Sequence, residues 1–130
     1  MSRQTRILIL GQDVNTVDYA SPALPPGMTA EKVLAGLAKA EAALEAKGHH
    51  VDMLQVQPDS VVAEAEIEAQ LGGAAYDVVV IGAGIRNPPP SLGLFEVVLN
   101  AVHRGAPGAR IAFNTRPDDS DVAAERWVGR

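Results

Sequence analysis

Two clusters of polar side chains follow the most apolar segments of the chain. Arg86 and Asn87 come directly after VVVIGAGI, and Asn114, Thr115 and Arg116 come directly after RIAF. Arginine presents a planar fork of donors that matches a carboxylate or a phosphate, and an asparagine amide both donates and accepts hydrogen bonds. If both segments end at the same edge of the fold, this set predicts a binding site for an anionic small molecule.

Glycines stand between the apolar runs and these polar clusters. Gly82 and Gly84 precede Arg86, and Gly11 follows the apolar run RILIL. A glycine lets the backbone turn tightly, or lets a ligand approach it closely. Three prolines, 88–90, then fix the path into a helix whose first N–H groups favour an anion. We therefore add the three glycines to the predicted binding site.

Apolar runs and amphipathic segments alternate along the chain. The runs predict buried strands at residues 6–10, 50–56, 77–81 and 109–113. The amphipathic segments predict helices at 29–47, from 59 or 60 to 73, at 91–104, and from 118 or 119 to the C-terminal end. This alternation predicts a single α/β domain, residues 1–130: a three-layer α/β/α sandwich with a short parallel sheet of about four strands. Right-handed crossovers give the strand order 2-1-3-4, as in flavodoxin-like and Rossmann-like folds.

The fold fixes where a ligand is expected to bind. In a sheet of this order, ligands occupy the crevice at the carboxyl ends of strands 1 and 3, where the winding direction reverses. The segment leaving strand 1, residues 12–28, is far longer than an ordinary strand-to-helix loop. We expect this loop to cover the crevice, with Arg86 and Arg116 clamping the anion and Asn87 and Asn114 orienting it.

An enzymatic version of this site uses two carboxylates. Asp13 follows strand 1, where it can act as an acid/base or as a Mg²⁺ ligand, and Glu96 is its possible partner. No nucleophile with an adjacent base is visible, which disfavours covalent catalysis. The structural alternative is that the two arginines pair with Asp13, Asp18 or Glu96 and only hold loops together.

The third predicted helix favours a different function. It is apolar on almost every side, apart from a stripe formed by Glu96, Asn100 and His103, and such a helix is buried on more than one side. The fourth strand also lies near an edge that a small protein must cover. A homodimer would cover the outer side of this helix and the edge of the sheet. Its interface would contain Phe95, Leu99, Asn100 and His103. The alternative function is therefore that of a non-catalytic interaction or scaffold protein whose arginines are structural.

Composition excludes several partners. The net charge is −5 and no basic cluster occurs, which argues against nucleic-acid binding. The first apolar run is too short for a membrane span or a signal peptide, and the absence of cysteine fits the cytoplasm. GAGIRN follows the third strand and lacks the third glycine of the dinucleotide fingerprint. We predict no NAD, FAD, FMN or other cofactor.

Longer segments of the chain resemble known sequences. VDYASPALPPGMTAEKV, IGAGIRNPPPSLGLFEVVLNAVH and APGARIAFNTRPDD are similar to segments of a group of short bacterial α/β proteins of Rossmann-like or flavodoxin-like type, marked by LPPGM and GAGIRxPP. The resemblance spans most of the chain. It implies a common fold and a shared site, and it carries no activity to this protein.

Overall fold

Four parallel strands form the centre of the part of the protein that the structure, a computed structural model, describes: residues 4–130. The strands are β1 (Arg6–Gln12), β2 (His50–Val56), β3 (Val78–Ile81) and β4 (Arg110–Phe113). They pair in the order β2-β1-β3-β4, with Ile7 opposite both Val51 and Val78. The predicted fold class and strand order are confirmed.

Five helices flank the sheet within the described residues: α1 (Ala30–Ala46), α2 (Ser60–Gly72), α3 (Ala83–Arg86), α4 (Leu92–Gly105) and α5 (Ser120–Glu125). Helices α1 and α5 pack on one face, and α2 and α4 pack on the other. Short 3₁₀ turns lie at Val14–Thr16, Pro89–Ser91 and Pro117–Asp119. The single turn α3 was not predicted.

The core consists of two apolar layers that share the central strands. In β1, Ile7 and Ile9 face α1 and α5, whereas Leu8 and Leu10 face α2 and α4. All four side chains are at most 3% exposed. A strand covered on both faces needs a continuous apolar run, which is why RILIL shows no alternation.

Local capping sets the starts of the two long helices before β3. The Thr29 hydroxyl accepts a hydrogen bond from the Lys32 amide (3.2 Å) at the start of α1. The Asp59 carboxylate accepts from the amides of Val61 (2.9 Å) and Val62 (3.1 Å) at the start of α2. Both caps satisfy amides that have no partner inside the helix. Gly48, at φ +88°, lies just beyond the end of α1 in a conformation that favours glycine.

Strands β2 and β4 are the edges of the sheet, as predicted. The C-terminal segment lies along the β4 edge. There the Arg126 guanidinium donates to the Phe113 carbonyl (2.9 Å), and Arg110 Nε donates to the Arg130 carbonyl (2.9 Å). The chain thus covers part of this edge itself.

Within residues 4–130, no helix has the length and apolar character needed to cross a membrane.

Candidate functional site

The carboxyl ends of β1 and β3 open into a cavity of about 370 Å³. Pockets that bind small molecules typically measure about 300–1,000 Å³. The ends of β1 and β2, the first turns of α1 and the segments after β3 and β4 form the wall, and the 12–28 loop completes it. The cavity lies at the crevice where sheets of this order bind ligands.

Most of the predicted binding residues lie in this wall: Gly11, Gly82, Gly84, Asn87, Asn114, Thr115 and Arg116. A Cβ atom on Gly11 or Gly84 would meet no other atom within 4 Å, so the missing side chains leave open space there. Gly82 is different, because its Cβ would lie 3.4 Å from the Leu10 carbonyl oxygen. The segments after β3 and β4 therefore do meet at one edge.

Arg86 does not line the cavity. The single turn α3 directs its guanidinium to the Asn114 carbonyl, to which it donates at 2.7 Å, and over the Phe113 ring, 5.4 Å from the centroid. Its Nε is buried without a hydrogen-bond partner in the described part of the chain. Arg86 thus connects α3 to the end of β4, and it pairs with none of the three carboxylates that the structural alternative names.

Asn114 ties the two exit segments together. Its side-chain oxygen accepts from the Ala83 amide (2.7 Å), and its side-chain nitrogen donates to the Ser120 hydroxyl (2.9 Å). Ser120 in turn donates to the Pro117 carbonyl (2.8 Å). Asn114 is only 4% exposed. With both ends of the amide occupied, it holds the wall in shape more than it offers free groups to a ligand.

Arg116 lies on a loop that Asp119 organises. The Asp119 carboxylate accepts from the Thr115 hydroxyl, the Thr115 amide (3.0 Å) and the Arg116 amide (3.3 Å). Burial alone would raise the pKa of Asp119, but these hydrogen bonds outweigh burial and hold the pKa below its usual value. The Arg116 side chain pairs through Nε with Asp118 (2.7 Å) and is 62% exposed.

Arg116 is the one charged side chain among the described residues that line the cavity. Much of the wall is apolar, a feature that the sequence reasoning missed: Ile9, Val14, Val17, Leu24, Met28, Val33, Leu37 and Met53. Two strand residues, Gln12 and Gln55, were also missed. Their positions at the carboxyl ends of adjacent strands were the available signal. The arrangement suits a molecule with an apolar body and one polar or anionic end.

The loop at residues 12–28 is a chain of turns fixed by its own hydrogen bonds. The Tyr19 hydroxyl donates to the Val14 carbonyl (2.7 Å), and the Met28 amide donates to the Pro25 carbonyl (3.3 Å). Burial, together with the Asp13 carboxylate, raises the pKa of Tyr19. Gly27, at φ +77°, makes the final turn into α1. Several of its side chains line the cavity, and its role as a cover stays a prediction.

The two candidate catalytic carboxylates are not in the cavity wall. Asp13 accepts from the Asn15 amide (2.9 Å) and from the Gln57 side chain (3.0 Å). Glu96 is exposed on α4, where its carbonyl accepts from Asn100 (2.8 Å). In residues 4–130, no three His, Cys, Asp or Glu side chains are grouped to hold a metal ion.

The predicted interface residues lie on the outer part of α4. Phe95 and Leu99 are half-buried against the core, and Phe95 meets Phe113 edge to face with centroids 6.0 Å apart. Asn100 and His103 are exposed. This side of α4 therefore combines a covered apolar base with a solvent-facing polar rim.

Neither a protein-family model nor a curated protein matches the chain. The resemblance to short bacterial α/β proteins stays a prediction. Since folds of this class host many unrelated activities, function has to be argued from the site itself.

Proposed function

We propose that this protein binds an anionic metabolite, carrying a carboxylate or a phosphate, in the cavity at the carboxyl ends of β1 and β3. The observation that carries the proposal is the electrostatic character of the wall, in which Arg116 is the single charged group among the described lining residues. A guanidinium at the wall of a largely apolar cavity favours an anion, because its planar fork of N–H donors matches a carboxylate or a phosphate.

The neutral polar groups of the wall support the same proposal. Asn87, Thr115, Gln12 and Gln55 line the cavity and can orient a ligand by hydrogen bonds. Arg86 enters the proposal as a support for the wall through Asn114. The proposal needs no cofactor, and a Mg²⁺ ion at Asp13 belongs only to the enzymatic alternative. The cysteine-free composition supports a cytoplasmic location.

The first test is native mass spectrometry of freshly purified protein, followed by the variant Arg116→Gln. We expect a retained small anion on the wild type and its loss from the variant. Arg104→Gln is the matched control, because Arg104 is also an exposed arginine paired with a carboxylate (Glu68, 2.8 Å) but lies on α4. Equal retention by both variants would contradict the proposal.

A second function, as a homodimeric interaction protein, is favoured by the β4 edge. Phe113 is 36% exposed and Trp127 is 37% exposed beside this edge. In this proposal, α4 and β4 of two copies meet, with Phe95, Leu99, Asn100 and His103 in the contact.

Light scattering coupled to size exclusion tests the dimer. Asn100→Arg adds a long charged side chain to the exposed face of α4 and should yield a monomer. Ala38→Arg, on an exposed position of α1, should leave the dimer intact. A wild-type monomer at every concentration would remove this second function.

A further inference from the structure

A second depression adjoins the cavity on the outer side of Arg116. This groove has a volume of about 420 Å³, and Met28, Arg116 and Pro117 belong to both walls. The first half of α1 forms its other side, including Lys32 and Lys39. Arg116 therefore stands at the junction of an apolar cavity and an outer groove.

The groove carries a charge pattern that differs from the rest of the chain. Three cationic side chains, Lys32, Lys39 and Arg116, line it with a single carboxylate, Asp118, although the whole chain has a net charge of −5. Lys39 forms no ion pair or hydrogen bond in residues 4–130. Lys32 uses one of its three N–H donors on the Gly27 carbonyl (2.9 Å) and keeps two.

We propose that the ligand is a free phosphomonoester with an apolar body, an inference that rests on the proposed function. The apolar body occupies the cavity, and the phosphate lies at Arg116 facing Lys32 and Lys39. A phosphomonoester carries a charge of about −1.5 to −2 near pH 7, so it gains from several cations. A carboxylate, with one charge, would be served by Arg116 alone. The groove thus selects the phosphate, and the cavity selects the apolar body.

Calorimetry with four probes tests this inference: octyl phosphate, octanoate, octanol and inorganic phosphate. We expect octyl phosphate to bind most tightly, about tenfold or more above octanoate, since a second charge meets two further cations. Lys39→Gln should weaken octyl phosphate by about two- to fivefold, the range for an exposed charge contact, and leave octanoate unchanged. Lys47→Gln is the control, because Lys47 lies just beyond the far end of α1 beside Glu125 and outside the groove.

The outcomes separate this inference from the proposed function. Equal binding of octanoate and octyl phosphate, both lost in Arg116→Gln, would overturn the phosphomonoester and keep the anion site. Tight binding of inorganic phosphate without the alkyl chain would do the same. Equal affinities for octanol and for both anions, or no binding of any probe, would overturn the proposed function itself. Thermal melts of each variant show that it is folded.

One more experiment distinguishes a free phosphomonoester from the phosphate of a lipid surface. A free ligand enclosed by the cavity predicts no cosedimentation with phosphatidylcholine vesicles that contain phosphatidic acid. Cosedimentation that Lys39→Gln abolishes would assign the phosphate to a lipid surface and overturn the free ligand.

Discussion

At the scale of single residues, the two arginines of the site have different surroundings. Arg86 is partly buried, contacts the Phe113 ring and donates to the Asn114 carbonyl, whereas Arg116 is largely exposed and lines the cavity. A guanidinium that bonds a carbonyl away from water contributes to stability. The Arg116 guanidinium pairs through Nε with Asp118 and lies exposed in the cavity wall, where it can also contact a ligand. The same residue type therefore has two expected roles.

The variant Arg86→Ala should reduce the free energy of unfolding by about 1–3 kcal/mol, because a charge-assisted hydrogen bond and a cation–π contact are lost. The affinity of the folded protein for octyl phosphate should fall less than in Arg116→Gln, because Arg86 acts on the cavity wall only through Asn114. Urea denaturation and calorimetry measure the two quantities.

Arg126→Ala is the matched control for Arg86→Ala. Arg126 also donates to a carbonyl at the end of β4, Phe113 at 2.9 Å, but from an exposed position. Arg126→Ala should reduce the free energy of unfolding by less than Arg86→Ala does, about 0.5 kcal/mol, because water replaces an exposed hydrogen bond. Lost binding in Arg86→Ala without lost stability would mean that Arg86 contacts the ligand.

At the scale of elements, the close approach of α1 to the 3₁₀ turn Pro117–Asp119 positions Arg116. Gly36 lies at the contact: a Cβ there would be 3.0 Å from the Asp118 amide nitrogen and 3.1 Å from Pro117 Cβ. The loop that carries Arg116 can lie against α1 only because this position has no side chain. The spacing of cavity and groove depends on this contact.

Replacing Gly36 by alanine should therefore weaken octyl phosphate binding several-fold. Alanine is a better helix former than glycine by about 1 kcal/mol, but in Gly36→Ala this gain in unfolding free energy should be largely offset because the Cβ displaces the Pro117–Asp119 turn. Gly93→Ala is the control, because Gly93 lies in α4 with open space around it. The control should gain up to about 1 kcal/mol in unfolding free energy and bind normally. Identical effects of the two substitutions on binding would show that the α1 contact does not position Arg116.

At the scale of the whole molecule, the two ends of the sheet differ in chemistry. The cavity lies at the carboxyl ends of the strands, and a polar network lies at the amino ends. In this network Tyr76 donates to Asp52 (2.6 Å) and accepts from Gln70 (2.7 Å), and His50 lies 3.1 Å from Asp52. The hydrogen bond from Tyr76 lowers the pKa of Asp52. Burial, then the Asp52 contact, raises the pKa of Tyr76.

These shifts predict that stability falls at both extremes of pH. A carboxylate with a lowered pKa, such as Asp52 or Asp119, stabilises the fold above its unfolded pKa of about 3.9 and loses that contribution as the pH falls through the folded pKa. Tyr76 has a raised pKa, so its contribution is complete below about pH 10 and is lost as the pH rises through the folded pKa. The free energy of unfolding should form a plateau between these limits.

Urea denaturation from pH 3 to pH 11 measures this profile. Asp52→Asn should lower the plateau and make the acid side less steep, because one titrating group is removed. Glu45→Gln, an exposed carboxylate on α1, is the control and should leave the profile unchanged. An acid side equally steep in Asp52→Asn and the wild type would contradict the assigned role of Asp52.

Much of the fold was predictable because each element carries a local signal. Thr29 and Asp59 start helices by side-chain caps, and the short continuous apolar runs RILIL and VVVI are typical of strands covered on both faces. The position of the crevice followed from the strand order. The direction of the Arg86 side chain could not be predicted, because a single helical turn has too few residues to show a period.

The apolar part of the cavity could not be predicted for a different reason. Val33, Leu37 and Met53 are spaced like core residues of a helix and a strand, and the sequence contains no sign that they also border a cavity. The cavity exists because the 12–28 loop does not fill the space beside these residues. Such a gap is a property of long-range packing, which periodicity does not report.

The division of the cavity wall has a consequence for altering selectivity. Apolar side chains of the 12–28 loop and of α1 line one part, and the charged group and two of the four side-chain amides, Asn87 and Asn114, come from residues 82–87 and 114–116. These segments are far apart in the chain and come together around the cavity. Exchanging the loop alone would change the preferred length or shape of the apolar body while the headgroup stayed the same. Exchanging the segment after β4 would do the reverse, so the two preferences can be re-engineered one at a time.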